Sequence, residues 1–586
     1  ILIFKKLILN FIGKKLLILV LIFSLISTNF DLFLNVNLTQ AALDPNELEY
    51  MIDVGPIAGT GTANYVYVAL FNPSGSGRTS LIKRIAIRAD ANGTGNYVNL
   101  SLRRISAASG GTLIAASDIP KKNASSSNPV LEVRHTGPTV TFVGAVQSRL
   151  MGQPMPGAAG YFYSVRYISF GPNDEKIVLQ PGEGIALYQE AGGTTAQIIR
   201  MYVEWEEVTT TPQPQNEYLL AIQRVENAAG VNYVYNSFFN PASSGKTAIV
   251  KRIWFGAETC DTTAVYTNNI SIRRISSASG GTQIPQADIP KKHTGSANSV
   301  MDVRYGGPTV TLVGGTDARL GMITPCGAAG QPHGWMQINF HQNDEKLILQ
   351  PGEGIALISE AAGDLDQLVR MIIEWKEVPV SETPSSQGEY ILAFPRISDL
   401  AATSTGTTLN TFFNPSGSGK TVVIKRLVIR NDADGAATYS AFKFRRLTAA
   451  SGGVLISAAD IPKKHTGSPN SIIEARYCGT TCGTAITATY SGTTDSTLLQ
   501  VNGPGNIGQV IGHREIVFGD NEKLVLQPGE GIGFYIDVTN ADLDHYVKIL
   551  IEWQETTTTP SSQGEYIIDP GPVGGSTATS YNYISF

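Results

Sequence analysis

The chain has 586 residues, of which 42% are apolar and 16% charged, and a formal net charge of −5. That length exceeds what one compact core supports, so several domains are expected. A mildly acidic chain without a basic block argues against nucleic acid or an anionic membrane surface as partner.

The first 41 residues carry Lys5, Lys6, Lys14 and Lys15 against one acid, Asp31. Lys14 and Lys15 precede the apolar run "LLILVLIFSLIS", the layout of a secretory signal. The run is short for a stable transmembrane helix. Small residues at Thr39 and Ala41 suit cleavage nearby, and an uncleaved N-terminal anchor is the alternative. Membrane contact is expected through this segment alone, with the rest of the chain extracellular or at the cell surface. The chain opens on Ile1 rather than Met, as a fragment or a misassigned start would.

Internal repeats organise the rest of the chain. Tyr50, Tyr218, Tyr390 and Tyr566 each open a unit, about 170 residues apart. The same words recur in the same order. "LFNPSGSGRT" at Leu70 matches "FFNPASSGKT" at Phe238 and "FFNPSGSGKT" at Phe412. "LRRISAASGGT" at Leu102 matches runs at Ile272 and Phe444, "DIPKK" recurs at Asp118, Asp288 and Asp460, and "LQPGEGI" at Leu179, Leu349 and Leu526. Trp205, Trp375 and Trp553 close the units. The boundaries read as 1–41 signal or anchor, 47–207 repeat 1, 208–216 linker, 217–377 repeat 2, 378–388 linker, 389–555 repeat 3, 556–564 linker, and 565–586 the start of a truncated fourth repeat. The linkers are rich in Thr, Pro and Ser, which makes them extended and semi-stiff.

After the leader no stretch shows sustained helical periodicity. Short β-branched and aromatic runs are bounded by Gly, Pro, Asn and Asp, at a density that gives eight to ten strands per unit. The fold class is therefore all-β: tandem antiparallel β-sandwich, jelly-roll-like domains, beads on a string. In "LQPGEGI", Pro181 and Gly182 suit the central positions of a type II turn, which leaves Glu183 pointing to solvent. The three tryptophans sit in apolar final strands and are expected in the cores.

"NPSGSGKT" imitates a nucleotide-binding loop but fails its requirements. The first glycine of that motif falls on Asn414, and "TVVIKRLVIR" after it is a strand rather than a phosphate-holding helix. Arg78 replaces the lysine in repeat 1. No nucleotide is expected. The acids of "NDEK" at Asn173 and Asn343, and "DNEK" at Asp520, have the oxygen chemistry for Ca²⁺. No spaced ligand set accompanies them, a polar turn accounts for them, and no cofactor is assigned. The "IPKK" loops, with Lys121, Lys122, Lys291, Lys292, His293, Lys463, Lys464 and His465, are candidate exposed binding loops for an acidic glycan or a partner subunit. A solvated loop is the plainer reading. Cys260 with Cys326, and Cys478 with Cys482, are disulfide candidates within repeats 2 and 3. No metalloprotease motif, nucleophile elbow or repeated acid–base pair emerges, so no catalytic or metal residue is assigned and the chain is read as a non-enzyme.

On "NPSGSGKT", "LQPGEGI" and the strand pattern, the three complete repeats resemble tandem jelly-roll or β-sandwich domains of bacterial cell-surface and viral fibre structural proteins. The resemblance implies an exported structural protein forming a layer, stalk or filament, with copies of itself or other surface proteins as partners. The alternative is an adhesin whose repeats bind glycans weakly and gain avidity from repetition.

Overall fold

The computed structural model describes residues 48–558 apart from 92–97, 156–165, 173, 193–196, 226–230, 259–268, 324–332, 341–345, 361–367, 398–405, 434–440, 481, 493–495, 503–509, 519–522 and 539–544. The leader, the start of the fourth repeat, Cys260 and Cys326 lie outside the described residues.

The β-branched runs form strands as their alternation requires. In repeat 1 these are β1 (Leu48–Ala58), β2 (Val66–Asn72), β3 (Thr79–Ala91), β4 (Val98–Ile114), β5 (Glu132–Phe142), β6 (Met151–Met155), β7 (Arg166–Ser169), β8 (Ile177–Leu179), β9 (Glu183–Gln189) and β10 (Gln197–Val208). Along β10 buried and half-buried residues alternate without a break, the two-residue period of a strand with one face in a core.

The first sheet runs β1-β10-β3-β7, with β8 continuing beside β3, and the second runs β5-β2-β9-β4-β6. With β7 and β8 taken as one interrupted strand and β5 as an added edge strand, eight strands remain. The first pairs with the eighth, the second with the seventh, the third with the sixth and the fourth with the fifth. That pairing is a jelly roll. Repeat 2 uses the same order, in Glu217–Ala221, Leu368–Pro379, Lys246–Glu258 and His333–Asn339 for one sheet and Asp302–Leu312, Val234–Asn240, Glu353–Ser359, Ile270–Ile284 and Gly321–Ile323 for the other. Repeat 3 keeps it as well, with its long fourth strand broken into Ala441–Gly452 and Val454–Ile456. The protein is a tandem array of antiparallel jelly-roll sandwiches.

Each core is built on one aromatic pair. Tyr50 on β1 lies opposite Trp205 on β10, and their rings stack at 5.4 Å. Tyr218 with Trp375 and Tyr390 with Trp553 repeat this at 5.2 and 5.4 Å. All six rings are fully buried, as a large apolar surface dictates. Their polar ends are satisfied. The Tyr50 hydroxyl donates to Ser127 O at 2.9 Å, and the Trp375 indole N–H donates to Glu377 at 3.2 Å.

The "NPSGSGKT" word is the β2–β3 turn. Asn240 donates from Nδ2 to Lys246 O (2.8 Å) and to Leu349 O (3.0 Å), so one side chain ties this turn to the strand before "QPGEG". Asn72 and Asn414 make the same two bonds. This explains why asparagine stands where a phosphate loop needs glycine. Lys420 at the end of this turn pairs at 3.1 Å with Glu555, whose side chain is buried. In "QPGEG", Gly182, Gly352 and Gly529 hold φ of +89°, +88° and +87°, the left-handed turn position that glycine fills without strain. Glu183 does not simply face solvent, because its carboxylate turns back to accept the Gln180 N–H at 2.9 Å. Cys478 and Cys482 are joined in a disulfide that closes a short loop of repeat 3.

An Asn240→Ala substitution takes the side-chain donor from the buried Leu349 carbonyl, while Lys246 O keeps the Ser244 hydroxyl, at a cost of about 1–3 kcal/mol. Hydrogen exchange should report this as lost protection confined to repeat 2, with repeat 3 unchanged. Unchanged protection in repeat 2 would refute the role given to this side chain.

Candidate functional site: the joint between successive repeats

The recurring words that a single bead does not need meet where one repeat touches the next. Arg104, from β4 of repeat 1, crosses into repeat 2. Its guanidinium donates to Lys291 O (2.9 Å) and Lys292 O (2.5 Å), and to Val178 O of its own repeat (3.1 Å). The Val178 N–H also donates to Lys292 O at 2.8 Å. A planar fork of donors suits such a set of carbonyls better than a point charge does. The second joint is built alike. Arg274 donates to Lys463 O (2.7 Å), Lys464 O (2.9 Å) and Ile348 O (3.3 Å), and the Ile348 N–H donates to Lys464 O at 2.8 Å. The side chains of both arginines are nearly buried, 7% and 8% exposed.

Further bonds repeat across both joints. Asp288 accepts the Ala145 N–H at 2.9 Å, and Asp460 accepts the Gly315 N–H at 2.5 Å. Ala221 N–H donates to Arg149 O (2.8 Å) and Ala393 N–H to Arg319 O (3.0 Å). Apolar residues seal the contact. Leu219, Ala221, Trp254 and Ile372 of repeat 2 belong to the core cluster of repeat 1. Ile391, Ala393, Val428 and Leu550 of repeat 3 belong to that of repeat 2. In each case they form the outer face of the following repeat's first sheet, where Ala221, Ile372 and Trp254 lie side by side across three strands. We call this face the head, and the surface of the preceding repeat that it covers the tail.

A charge cluster sits under the joint. Lys292 Nζ lies 2.9 Å from Glu217 and also pairs with Glu374, and all three side chains are buried. Lys251 joins Glu217 (2.5 Å) to Asp174 of repeat 1 (3.0 Å), and Arg252 reaches Asp174 at 2.8 Å. The Lys292 ammonium also lies over the Phe170 ring of repeat 1 at 4.5 Å. Burial works to lower the Lys292 pKa, but Glu374 and Glu217 outweigh it and hold the ammonium above the usual lysine range. Burial likewise works to raise Asp174 and Glu217, and the facing lysines outweigh it and hold both below the usual carboxylate range. Glu175 goes the other way, raised first by burial and then by Glu217.

The linkers are fastened to the beads. His293 accepts the Gly295 N–H on Nδ1 (2.9 Å), which leaves Nε2 to donate to Pro212 O in the linker (3.0 Å). Burial favours this neutral ring. Thr79 and Thr247 bond linker residues Thr211 and Thr383, and Glu175 accepts the Gln215 N–H at 2.9 Å. The semi-stiff tethers expected from composition are thus laid along packed surfaces.

These contacts correct the expectation of exposed binding loops. Lys292 and Lys464 are fully buried, and His293 and His465 are 2% and 6% exposed. Two buried carboxylates hold each lysine, and the linker or joint covers each histidine. Lys291 and Lys463 contribute their backbone carbonyls to the joint, while their own positions are half-buried. In the repeat 1 copy Lys121 is half-buried and donates to Ser126 O at 2.8 Å, while Lys122 is exposed, its side chain 34% accessible. The acids of "NDEK" in repeat 1 are engaged by the joint rather than gathered around an ion. Among the described residues no group of three or more His, Cys, Asp and Glu is arranged to hold a metal. Arg104 and Arg274 are not singled out by the sequence, where "LRRISAASGGT" reads only as a recurring word of the repeat. The signal was there: two adjacent arginines recur in every repeat, more than a strand needs.

No family profile matches the chain, and no curated protein does. Among solved structures it is similar to PNGF-II, at 8% identity and a TM-score of 0.23 over 56% of this chain, which spans 65% of that protein's length. It is also similar to the triple jelly roll of an archaeal virus turret assembly, at 9% identity and a TM-score of 0.14 over 87% of this chain and 89% of that one. Sulfolobus turreted icosahedral virus gives 8% identity and a TM-score of 0.13 over 87% and 83%. Likenesses this weak carry no functional meaning. The class rests on the strand order and the joint: a tandem jelly-roll array with docked repeats.

Two outcomes are expected. Lys292→Ala removes the cation shared by two buried carboxylates and leaves Glu217 to Lys251 and Glu374 to Arg252, so it should cost about 1–3 kcal/mol in denaturant unfolding of repeat 2. Lys122→Ala, in the open copy of the same triad, should cost about 1 kcal/mol or less; equal costs would refute the joint's role in burying the cluster. Acid should loosen the joint. Asp174 and Glu217 have folded-state pKa values below their unfolded ones, so the stability they give is present above about pH 4 and is lost as pH falls. Glu175, raised, opposes this alone. Small-angle scattering should show the radius of gyration rising below about pH 4 before strand content is lost; a constant radius until unfolding would contradict it.

Proposed function

We propose that this chain is a non-enzymatic structural protein, a stiff run of jelly-roll units that serves as a stalk, filament or layer outside the cell. The supporting observation is the joint itself: two successive contacts use the same residues in the same roles. A repeated joint sets each repeat on the next by the same rotation and shift, which builds an extended array with one stiffness throughout. A mobile multi-domain enzyme needs no such uniformity. Placement outside the cell is proposed from the basic-then-apolar leader at Lys14. The adhesin reading loses its main support, because most of the lysine and histidine loops on which it relied are occupied by the joints.

Electron microscopy and small-angle scattering of the full chain test this. The wild type should be a straight rod with a fixed profile. The double variant Arg104→Ala/Arg274→Ala should bend at both joints while each repeat keeps its strand content. A wild type that already samples many bends would overturn the reading.

A further inference from the structure

Two histidines close the linkers onto the beads, and what they meet fixes the role of each ring nitrogen. Nδ1 of His293 lies 2.9 Å from the Gly295 N–H, and Nδ1 of His465 lies 2.9 Å from the Gly467 N–H. A backbone N–H can only donate, so each Nδ1 carries a lone pair and each ring is neutral, with its one proton on Nε2. That proton goes to the linker. His293 Nε2 donates to Pro212 O at 3.0 Å, and His465 engages the backbone of Pro384, the matching linker residue. Both clasps are tight. A Cβ on Gly295 would lie 3.0 Å from the His293 ring and 3.0 Å from Pro214, and one on Gly467 would lie 3.0 Å from the His465 ring. In the second clasp the linker residue Ser386 also bonds Ser468. Repeat 1 has Asn123 at this position, and its Oδ1 accepts the Ser125 N–H at 3.1 Å. The turn thus needs an acceptor, and that acceptor is a titratable ring in repeats 2 and 3, whose loops hold a described linker.

We propose that these two clasps are proton-operated latches that release the linkers in mild acid while the joints stay docked. The inference goes beyond the structural reading above and does not depend on where the chain resides. Histidine is the side chain whose ordinary titration falls between about pH 5 and pH 8. A proton on Nδ1 would set two donors against each other, so the ring must leave the clasp to become charged. Burial is the largest influence on both rings and holds them below the usual histidine range. The charged groups around them do not reverse this. His293 faces Glu183, which favours the charged ring, and Arg104, which opposes it, both from repeat 1, and Lys292 precedes it in its own loop. His465 faces Glu353 and Arg274 in the same way. The first linker, 209–215, has no charged residue, and the second has the exposed Glu382. A base depressed in the folded state gives stability that is present above about pH 6.5 and is lost as pH falls through its folded value. The carboxylates under the joint hold their charge to about pH 4. Acid therefore acts in two stages: the Thr-, Pro- and Ser-rich linkers lift from the beads first, open to enzymes that act on extended chain, and the joints loosen later. Glu175 also fastens the first linker, through the Gln215 N–H at 2.9 Å, and burial raises it above the usual carboxylate range, so the test has to separate the two groups.

The test is deuterium exchange of the full chain from about pH 7.5 to about pH 5, corrected for the intrinsic pH dependence of exchange, a range that spans histidine titration. Peptides covering 209–216 and 383–388 should lose protection about tenfold per pH unit once the clasps take up protons, while the strands they join keep theirs. His293→Asn retains an acceptor, as Asn123 does, and should leave the first linker at a protection that no longer changes with pH, with the second linker still responsive. His465→Asn should do the reverse. In the wild type, imidazole nitrogen shifts at about pH 7.5 should mark both rings as the Nε2–H tautomer. Linker protection that is constant with pH overturns the proposal. So does a first-linker response that survives His293→Asn, which would assign it to Glu175, and so does either ring carrying its proton on Nδ1.

Discussion

A guanidinium that leaves its own repeat and ends among the backbone carbonyls of the next is the contact on which this architecture turns. Arg104 and Arg274 hold the lysine loop of the following repeat by its main chain, which fixes distance and angle without depending on that loop's side chains. The lysine side chains are thereby free to turn inward. There Lys292 and Lys464 each bridge two buried carboxylates. Apolar residues then close over the cluster and exclude water. Each layer depends on the one before it: the arginine sets the position, the charges become buried because of that position, and the apolar seal makes the burial costly to undo.

Within a repeat the logic is different. The Tyr–Trp stack joins the first strand to the last, so a jelly roll is closed at its point of greatest sequence separation by its largest side chains. The asparagine of the β2–β3 turn fastens that turn to a strand more than a hundred residues later. Both devices act over long sequence distances, where loop closure is the main entropic cost. They also account for the words that recur most faithfully.

The fold was largely legible because its signals are local. Alternation in "QIIRMYVEWEEV" marks a strand with one buried face, and Pro181-Gly182 marks a tight turn. The pairing order that makes these strands a jelly roll joins residues far apart, and no short window contains it. The joint was illegible for a related reason. Lys292 and His293 have the composition of a solvated loop, and nothing in "IPKKHTGS" says that another repeat's arginine will cover it. Glu183 was misplaced because a turn residue that bonds its own backbone looks, in sequence, like one that faces water. Repetition was the remaining clue, since a residue kept in every bead without a task inside the bead is free to act between beads.

Rigid joints are the central claim, and residual dipolar couplings measured on the deuterated full chain test them most directly. Couplings from the three repeats should fit a single alignment tensor when each repeat is held by the joint as described. Separate tensors of clearly different magnitude for repeats 1, 2 and 3 would mean that they reorient independently, and would contradict the account.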